Sequence, residues 1–240
     1  MTFVFPMAGR GQRFIDAGYD LPKYLVNVND KTLLQYSIES LPIEIADEIV
    51  FIGLKEHENK FLLSKKIASI LGNHNFKLVL LDDYTRGQAE TVLKARQHIN
   101  PDSDLVIYNI DTCFKSVTLK EILLSVNKYD GVIGCFHDTS PHWSFAALDS
   151  ENRFVVETAE KEPISSHALT GLYHFTKAID FFEVASHHID KDLTFKNEFY
   201  IAPMYNDLIK KGKRFVLDRV EFLIPLGTPE EVKRFQLINK

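Results

Sequence analysis

The chain has 240 residues, 45% of them hydrophobic and 25% charged, with a formal net charge of -5. That length suits one well-packed domain or two small ones, and the composition is ordinary for a globular protein. The acidic balance argues against a general nucleic-acid binder, which carries a basic face, and no run approaches the roughly 20 apolar residues of a membrane span. We therefore expect neither nucleic acid nor membrane as a partner. Cys113 and Cys135 form neither a metal-binding spacing nor a disulfide framework and read as free thiols. The N-terminus lacks the charged start and long apolar stretch of a signal peptide, so a cytoplasmic location is expected.

Taken in chain order, short apolar runs alternate with amphipathic segments. "TFVFPM", "EIVFIGL", "FKLVLLD", "DLVIYNI" and "DGVIGCF" are continuous and rich in Val, Ile and Phe, as strands buried on both faces should be. "TLLQYSIESL", "NKFLLSKKIASILG", "AETVLKARQHI" and "TLKEILLSVNKY" fall between them as helices. This βαβα rhythm predicts a parallel sheet covered by helices with right-handed crossovers. After about residue 140 the rhythm changes: "FAALD", "RFVVET" and "LTGLYHF" predict strands with no long helix between them, an antiparallel excursion. Helices return at "KAIDFFEVASHHI", "YIAPMYNDLIKKG" and "TPEEVKRFQLI", with Gly212 as a C-terminal stop for the second. No internal repeat, low-complexity segment or linker interrupts the pattern.

The first strand runs directly into "AGRGQRF". In an open parallel sheet, ligands bind beyond the carboxyl ends of the strands. Glycines there let backbone N–H groups approach an anion, and an arginine can fork onto phosphate oxygens. The spacing Gly9-x-Gly11-x-Arg13 is neither the dinucleotide fingerprint, which needs a third glycine, nor a Walker loop, which needs Gly-Lys-Ser/Thr. Arg10, Arg13 and Lys23 make the region locally basic, and Pro22 presents Lys23 from a stiff base. A plain glycine turn with solvated arginines fits the loop alone equally well.

The loop together with "LPKYLVNVNDKTLLQYSI" resembles the N-terminal signature of the sugar-1-phosphate nucleotidyltransferases and the related cytidylyltransferases: Gly-x-Gly-x-Arg, then Pro-Lys, an apolar strand, a short turn and a helix. The similarity continues through "RGQAETVL", "VIYNIDT", "AEKEPISSHALTGLYHF", "NEFYIAPMYNDLIKKG" and "PLGTPEEV", most of the chain. The Met-Ala-Gly opening and "YIAPMYN" look most like capsule-biosynthesis nucleotidyltransferase-like proteins.

The resemblance implies an α/β, Rossmann-like, mostly parallel sheet flanked by helices, with an antiparallel excursion in the second half (GT-A-like). It implies a single nucleotidyltransferase domain over residues 1–240, the nucleotide held by about 1–112 and the acceptor by about 113–240. The implied reaction joins a nucleoside triphosphate to a small phosphorylated acceptor, a sugar 1-phosphate or similar ester. Pyrophosphate is released, the metal is Mg²⁺ or Mn²⁺, and the product serves surface or capsular polysaccharide biosynthesis. Carried over residue by residue, the resemblance makes Arg13, Lys23 and Asp111 catalytic, with Asp111 the metal ligand. It places Ala8, Gly9, Gly11, Gly87 and Gln88 against the nucleotide, and Glu160, Lys161, Gly171 and Glu198 against the acceptor. A homo-oligomer is compatible with it.

Each of these residues also has a plainer reading. Asp111 fits a helix cap, Lys161 a solvated hairpin charge, Gly171 a close strand packing, and Gln88 a helix N-terminus. His187 and His188 decorate the end of an amphipathic helix, Trp143 wedges under a loop, and Cys113 fills a small gap. One position departs from the family pattern: Pro225 stands where an aspartate or asparagine is usual as a second metal ligand, two residues before the glycine of the closing Gly-Thr-Pro. Asp218 and Glu221 are the nearby acids open to that role, with water as the alternative. Two rivals follow: a glycosyltransferase of the related nucleotide-sugar fold, and a nucleotide-binding protein without turnover.

Overall fold

The computed structural model describes residues 1–125 and 128–238. From the N-terminus, β1 (Thr2–Pro6) leads through α1 (Gln12–Asp16) to a small hairpin of β2 (Asn27–Val28) and β3 (Lys31–Thr32), then α2 (Leu33–Glu39). Next come β4 (Glu48–Leu54), α3 (Lys55–Phe61), α4 (Leu63–Leu71), β5 (Lys77–Leu81) and α5 (Gln88–Lys94). They are followed by β6 (Leu105–Tyr108), β7 (Thr112–Lys115) and α6 (Leu119–Leu124). The second half holds β8 (Gly131–His137), β9 (Ser144–Leu148), β10 (Val155–Glu160), β11 (His167–Phe175), α7 (Ala178–Asp190) and α8 (Met204–Lys210). It closes with β12 (Phe215–Arg219), β13 (Phe222–Pro225) and α9 (Pro229–Ile238). Val126 and Asn127, in the run expected to continue α6, lie outside the described residues.

β10, β9, β11, β6, β1, β4 and β5 form the main path of the large sheet, and β8 joins its β11 to β12. The pairs β6–β1, β1–β4, β4–β5 and β8–β12 are parallel, whereas β11 is antiparallel to both β6 and β8. All five strands read from the first half run the same way, as expected, but β8 does not join the others directly. β11 is inserted between β6 and β8.

Side chains alternate between the two faces with a period of two. Val4, Val50, Ile52, Leu105 and Ile107 pack on one face beneath α5, α7 and α8. Phe3, Phe5, Ile49, Phe51, Val106 and Tyr108 pack on the other, beside residues of α2, α4 and α6. Phe5 stacks on Phe51 with ring centroids 4.8 Å apart, and both are fully buried. Each such ring contributes about 2–3 kcal/mol through burial, which fixes β1 and β4 as a rigid base for the loops above them.

Element ends follow local chemistry. α8 stops in a Schellman arrangement: Gly212 (φ 84°) donates to the Ile209 carbonyl at 2.9 Å and Lys213 to the Leu208 carbonyl at 3.1 Å. The helix expected across "NKFLLSKKIASILG" is broken instead, because Leu62 adopts a left-handed conformation (φ 53°) between α3 and α4. β7, β12 and β13 were not foreseen as strands; β7 and β13 pair as a separate antiparallel ribbon. No helix among the described residues is long and apolar enough to cross a membrane.

Candidate active site

Because β1 and β6 are parallel neighbours, with Val4 opposite Ile107, the segments leaving their carboxyl ends meet. From β1 comes the loop through Gly9 and Gly11; from β6 comes Asn109-Ile110-Asp111. Gly11 needs its glycine conformationally, at φ 65° as the N-cap of α1, and its Cα faces the stem of Lys23. A Cβ on Gly9 would meet nothing within 4 Å, so that position opens the loop rather than packing it. Ala8 is buried, and its carbonyl accepts from the Thr85 N–H at 3.3 Å, joining this loop to the segment before α5.

Lys23 opens a three-residue helical turn after Pro22 and reaches across to Asp111, its Nζ 2.6 Å from Oδ2. Both side chains keep about a fifth of their surface exposed, which leaves the pair accessible to a ligand. Arg13 lies exposed on α1, its side chain without a hydrogen bond or ion pair among the described residues. It is close enough to Tyr200 to oppose that phenol's upward shift. The Arg10 guanidinium lies over the Tyr84 ring, 5.3 Å from the centroid.

Gly87, the N-cap of α5 at φ 126°, faces protein backbone. A Cβ there would fall 2.7 Å from the Phe199 nitrogen and 2.8 Å from its oxygen. Its glycine is thus required by packing whatever else approaches it. Gln88 donates from Nε2 to Asn109 Oδ1 at 2.6 Å. Asn109 in turn occupies the space left by Gly171 (φ 86°), where a Cβ would sit 2.2 Å from Nδ2. Asn109 was missed in the sequence. The signal for it was its place at the end of an apolar strand, two residues before Asp111.

On the far side, Glu160 is buried and accepts a hydrogen bond from the Ser144 hydroxyl. Burial pushes its carboxyl above the usual range, against the pull of Ser144 and Lys161. Lys161 Nζ lies 3.6 Å from Glu160, donates to the Tyr200 hydroxyl at 2.8 Å, and sits 4.6 Å from the Tyr200 ring centroid. It is therefore not a freely solvated hairpin charge. Glu198 is exposed at the end of a two-residue turn whose Lys196 and Asn197 both have positive φ, as a type I′ hairpin requires. Burial and the neighbouring Glu198 raise the Tyr200 pKa far above its ordinary value.

The acids proposed to replace Pro225 lie elsewhere. Asp218 is fully buried on β12 and accepts from the hydroxyls of Ser116 (2.9 Å) and Thr118 (2.6 Å). Glu221 is ion-paired with Lys115 at 3.0 Å, four residues and roughly 13 Å of extended chain from Pro225. Pro225 itself pairs with Thr112, and the Leu226 N–H donates to the Asp111 carbonyl at 2.8 Å. This register brings Gly227 to Asp111. A Cβ on Gly227 would lie 3.2 Å from Asp111 Oδ2 and 3.7 Å from Glu231 Oε2. Glu231, not considered from sequence, is held by a capping box: its carboxylate accepts from the Thr228 N–H at 2.9 Å. Among the described residues no three metal-ligating side chains converge. Asp111, beside a gap that a Cβ would fill, still fits a hard cation of the Mg²⁺ type, which takes one or two carboxylates plus water and phosphate oxygens.

Other residues take structural places. Trp143 packs edge-on to Phe136, 5.0 Å between centroids. Cys113 and Cys135 are free, and burial pushes the Cys135 thiol up to about 12. His188 is a correction: it is buried, and its Nε2 lies 2.9 Å from Asp207 Oδ2, tying α7 to α8.

The glycine loop, the Pro-Lys turn and the strand-end aspartate thus meet at the carboxyl edge of the sheet. The profile of the nucleotidyl transferase family matches residues 7–215. The chain belongs to that family. A nucleoside-diphosphate-sugar pyrophosphorylase from Vibrio cholerae RC9 is 32% identical with a TM-score of 0.85, over 98% of this chain and 99% of that one. The inositol-1-phosphate CTP transferase of T. maritima shares the fold at 14% identity, with a TM-score of 0.75 over 100% and 94% of the two chains. The bifunctional protein GlmU of Methanocaldococcus jannaschii is 27% identical over 182 residues, 75% of this chain. The chain spans only 41% of that relative's length.

Proposed function

We propose that this nucleotidyltransferase joins a nucleoside triphosphate to a small phosphorylated acceptor, a sugar 1-phosphate or similar ester, and releases pyrophosphate. One observation carries the reading: Lys23 Nζ meets Asp111 Oδ2 at 2.6 Å at the foot of the Gly9–Gly11 loop. A cation and a carboxylate placed together there suit two phosphates that must approach each other. The likeness to the Vibrio cholerae pyrophosphorylase along almost the whole chain supports the same chemistry.

The acceptor's phosphate oxygen forms a bond to the α-phosphorus as the bond from α-phosphorus to the bridging oxygen of pyrophosphate breaks. A phosphate monoester is largely dianionic at neutral pH, its second pKa being about 6, so no strong general base is required. Catalysis reduces to alignment and neutralisation. Lys23 lies between the reacting phosphates, and Arg13, whose side chain has no partner among the described residues, neutralises the departing pyrophosphate. Asp111 is the residue that would hold Mg²⁺ or Mn²⁺, with Glu231 nearby. The ion, when bound, supplies charge neutralisation at the phosphate oxygens.

In this reading, residues of about 1–112 hold the nucleotide through the loop, Gly87 and Gln88. Those of about 113–240 hold the acceptor through Glu160, Lys161, Gly171 and Glu198. A place in surface or capsular polysaccharide biosynthesis rests on the sequence resemblance alone. Pyrophosphate release from mixed nucleoside triphosphates and a panel of phosphorylated acceptors tests the proposal. Release that depends on one acceptor and is lost in Asp111→Asn supports it. Acceptor-independent hydrolysis or no release overturns it.

A further inference from the structure

Tyr24 follows Lys23 in the chain, and its phenol oxygen lies 2.8 Å from Nδ1 of His57, both residues buried. We propose that His57 is a positioning residue for Lys23, acting through the Tyr24 hydroxyl. The inference rests on Lys23 binding phosphate, as argued above.

Tyr24 is the middle residue of the helical turn Lys23–Leu25, so a fixed tyrosine fixes the turn that begins with Lys23. The turn is closed by Leu25 donating to the Pro22 carbonyl at 2.8 Å and Val26 to the Lys23 carbonyl at 3.0 Å. His57 stands on α3, which leaves the carboxyl end of β4, the parallel neighbour of β1. The anchor for Lys23 is therefore carried by the same rigid strand pair that carries the glycine loop. A cleft of about 140 Å³ opens along this arrangement, lined by Arg10, Gly11, Lys23, Tyr24, His57 and Tyr84.

The direction of the hydrogen bond follows from burial. Burial holds the Tyr24 phenol well above its ordinary pKa, so it keeps its proton, and Nδ1 is its one acceptor among the described residues. The hydroxyl donates, Nδ1 accepts, and His57 is neutral with its proton on Nε2. The groups facing the ring are Tyr24 from the turn, Tyr84 from the loop after β5, and Glu56 and Lys60 from α3 itself. Burial lowers the pKa of His57; Glu56 opposes that and Lys60 adds to it. Protonation of Nδ1 would reverse the bond, Nδ1–H donating to the phenol oxygen; the phenol hydrogen would lose its acceptor and a charge would enter a buried site, which loosens the hold on the turn.

The test is calorimetric titration of inorganic tripolyphosphate into the full chain between about pH 5.5 and 8, the range in which histidine titrates. Wild type is compared with Tyr24→Phe, His57→Leu and His57→Asn, the last placing an amide oxygen near the position of Nδ1 without a titrating group. We expect Tyr24→Phe and His57→Leu to bind about five-fold more weakly at pH 8, the factor one ordinary hydrogen bond represents. His57→Asn should match wild type at pH 8 and hold its affinity better than wild type as the pH falls. A purely structural role would lower stability without this rescue or this pH dependence. Equal binding by wild type, Tyr24→Phe and His57→Leu at every pH overturns the inference alone. A wild type that ignores tripolyphosphate overturns the phosphate-binding reading and the inference with it. If His57→Leu does not fold, Tyr24→Phe, which deletes one oxygen, decides the matter.

Discussion

The Arg13 side chain is exposed on α1 and unpaired among the described residues, while Lys23 is already committed to Asp111 at 2.6 Å. The two cations therefore answer mutation differently. In the proposed reaction, Arg13→Ala removes a donor that acts on charge developing on the leaving group, a loss worth on the order of 3 kcal/mol. Steady-state kinetics should show kcat falling about 100-fold with the acceptor KM little changed; unchanged kinetics would make Arg13 a solvated surface charge. Gly171→Ala tests packing: at φ 86° and 2.2 Å from Asn109 Nδ2, the added methyl must strain the strand or expel Asn109. Chemical denaturation should register a loss of about 1–3 kcal/mol. At this scale the sequence was informative about residues whose type carries the chemistry. Gly9, Gly11, Lys23 and Asp111 could be named before their positions were known. Asn109 and Glu231 were passed over: their local signals, a strand end and a capping box, do not say that each lies beside a neighbour lacking a Cβ, Gly171 for one and Gly227 for the other.

Among the elements, the strands of the parallel set were legible because their apolar runs are unbroken, with both faces buried in β1, β4 and β6 and part-buried in the edge strand β5. The ribbon of β7 and β13 was not, since each strand is four residues long and β7 reads "TCFK". No glycine or proline announces the break at Leu62. The insertion of β11 between β6 and β8 depends on long-range pairing, to which local pattern is blind. The contact of α7 with α8 shows how a helix-end histidine gains a structural role. Burial would raise the Asp207 carboxyl, but His188 and Lys210 outweigh it, and its pKa lies below the usual carboxylate value. A carboxyl depressed on folding stabilises the fold above its unfolded pKa, about 4, and that stability is lost as the pH falls through the folded value. Wild type should therefore melt higher than Asp207→Asn at neutral pH, and the gap should narrow on acidification below about pH 4. A gap independent of pH would remove the ion pair from the account.

For the molecule as a whole, a net charge of -5 is reconciled with phosphate ligands by concentrating Arg13 and Lys23 at one edge of the sheet. The same economy bears on the proposed metal. With Pro225 where the resemblance implies an aspartate or asparagine, and Lys23 already on Asp111, the free protein offers a cation few ligands among the described residues. Calorimetry should find weak Mn²⁺ binding alone and much tighter binding once a triphosphate supplies oxygens. Tight binding to the nucleotide-free protein, unaffected by Asp111→Asn, would mean the metal sits elsewhere. The central claim is that the α-phosphorus moves to the acceptor. It is tested most directly by following a nucleoside triphosphate labelled at that phosphorus, with the acceptor identified from the panel. The account predicts that the label appears in a nucleotide diphosphate-linked product and that the released pyrophosphate is unlabelled. Label confined to free nucleoside mono- or diphosphate, with the acceptor untouched, would contradict it.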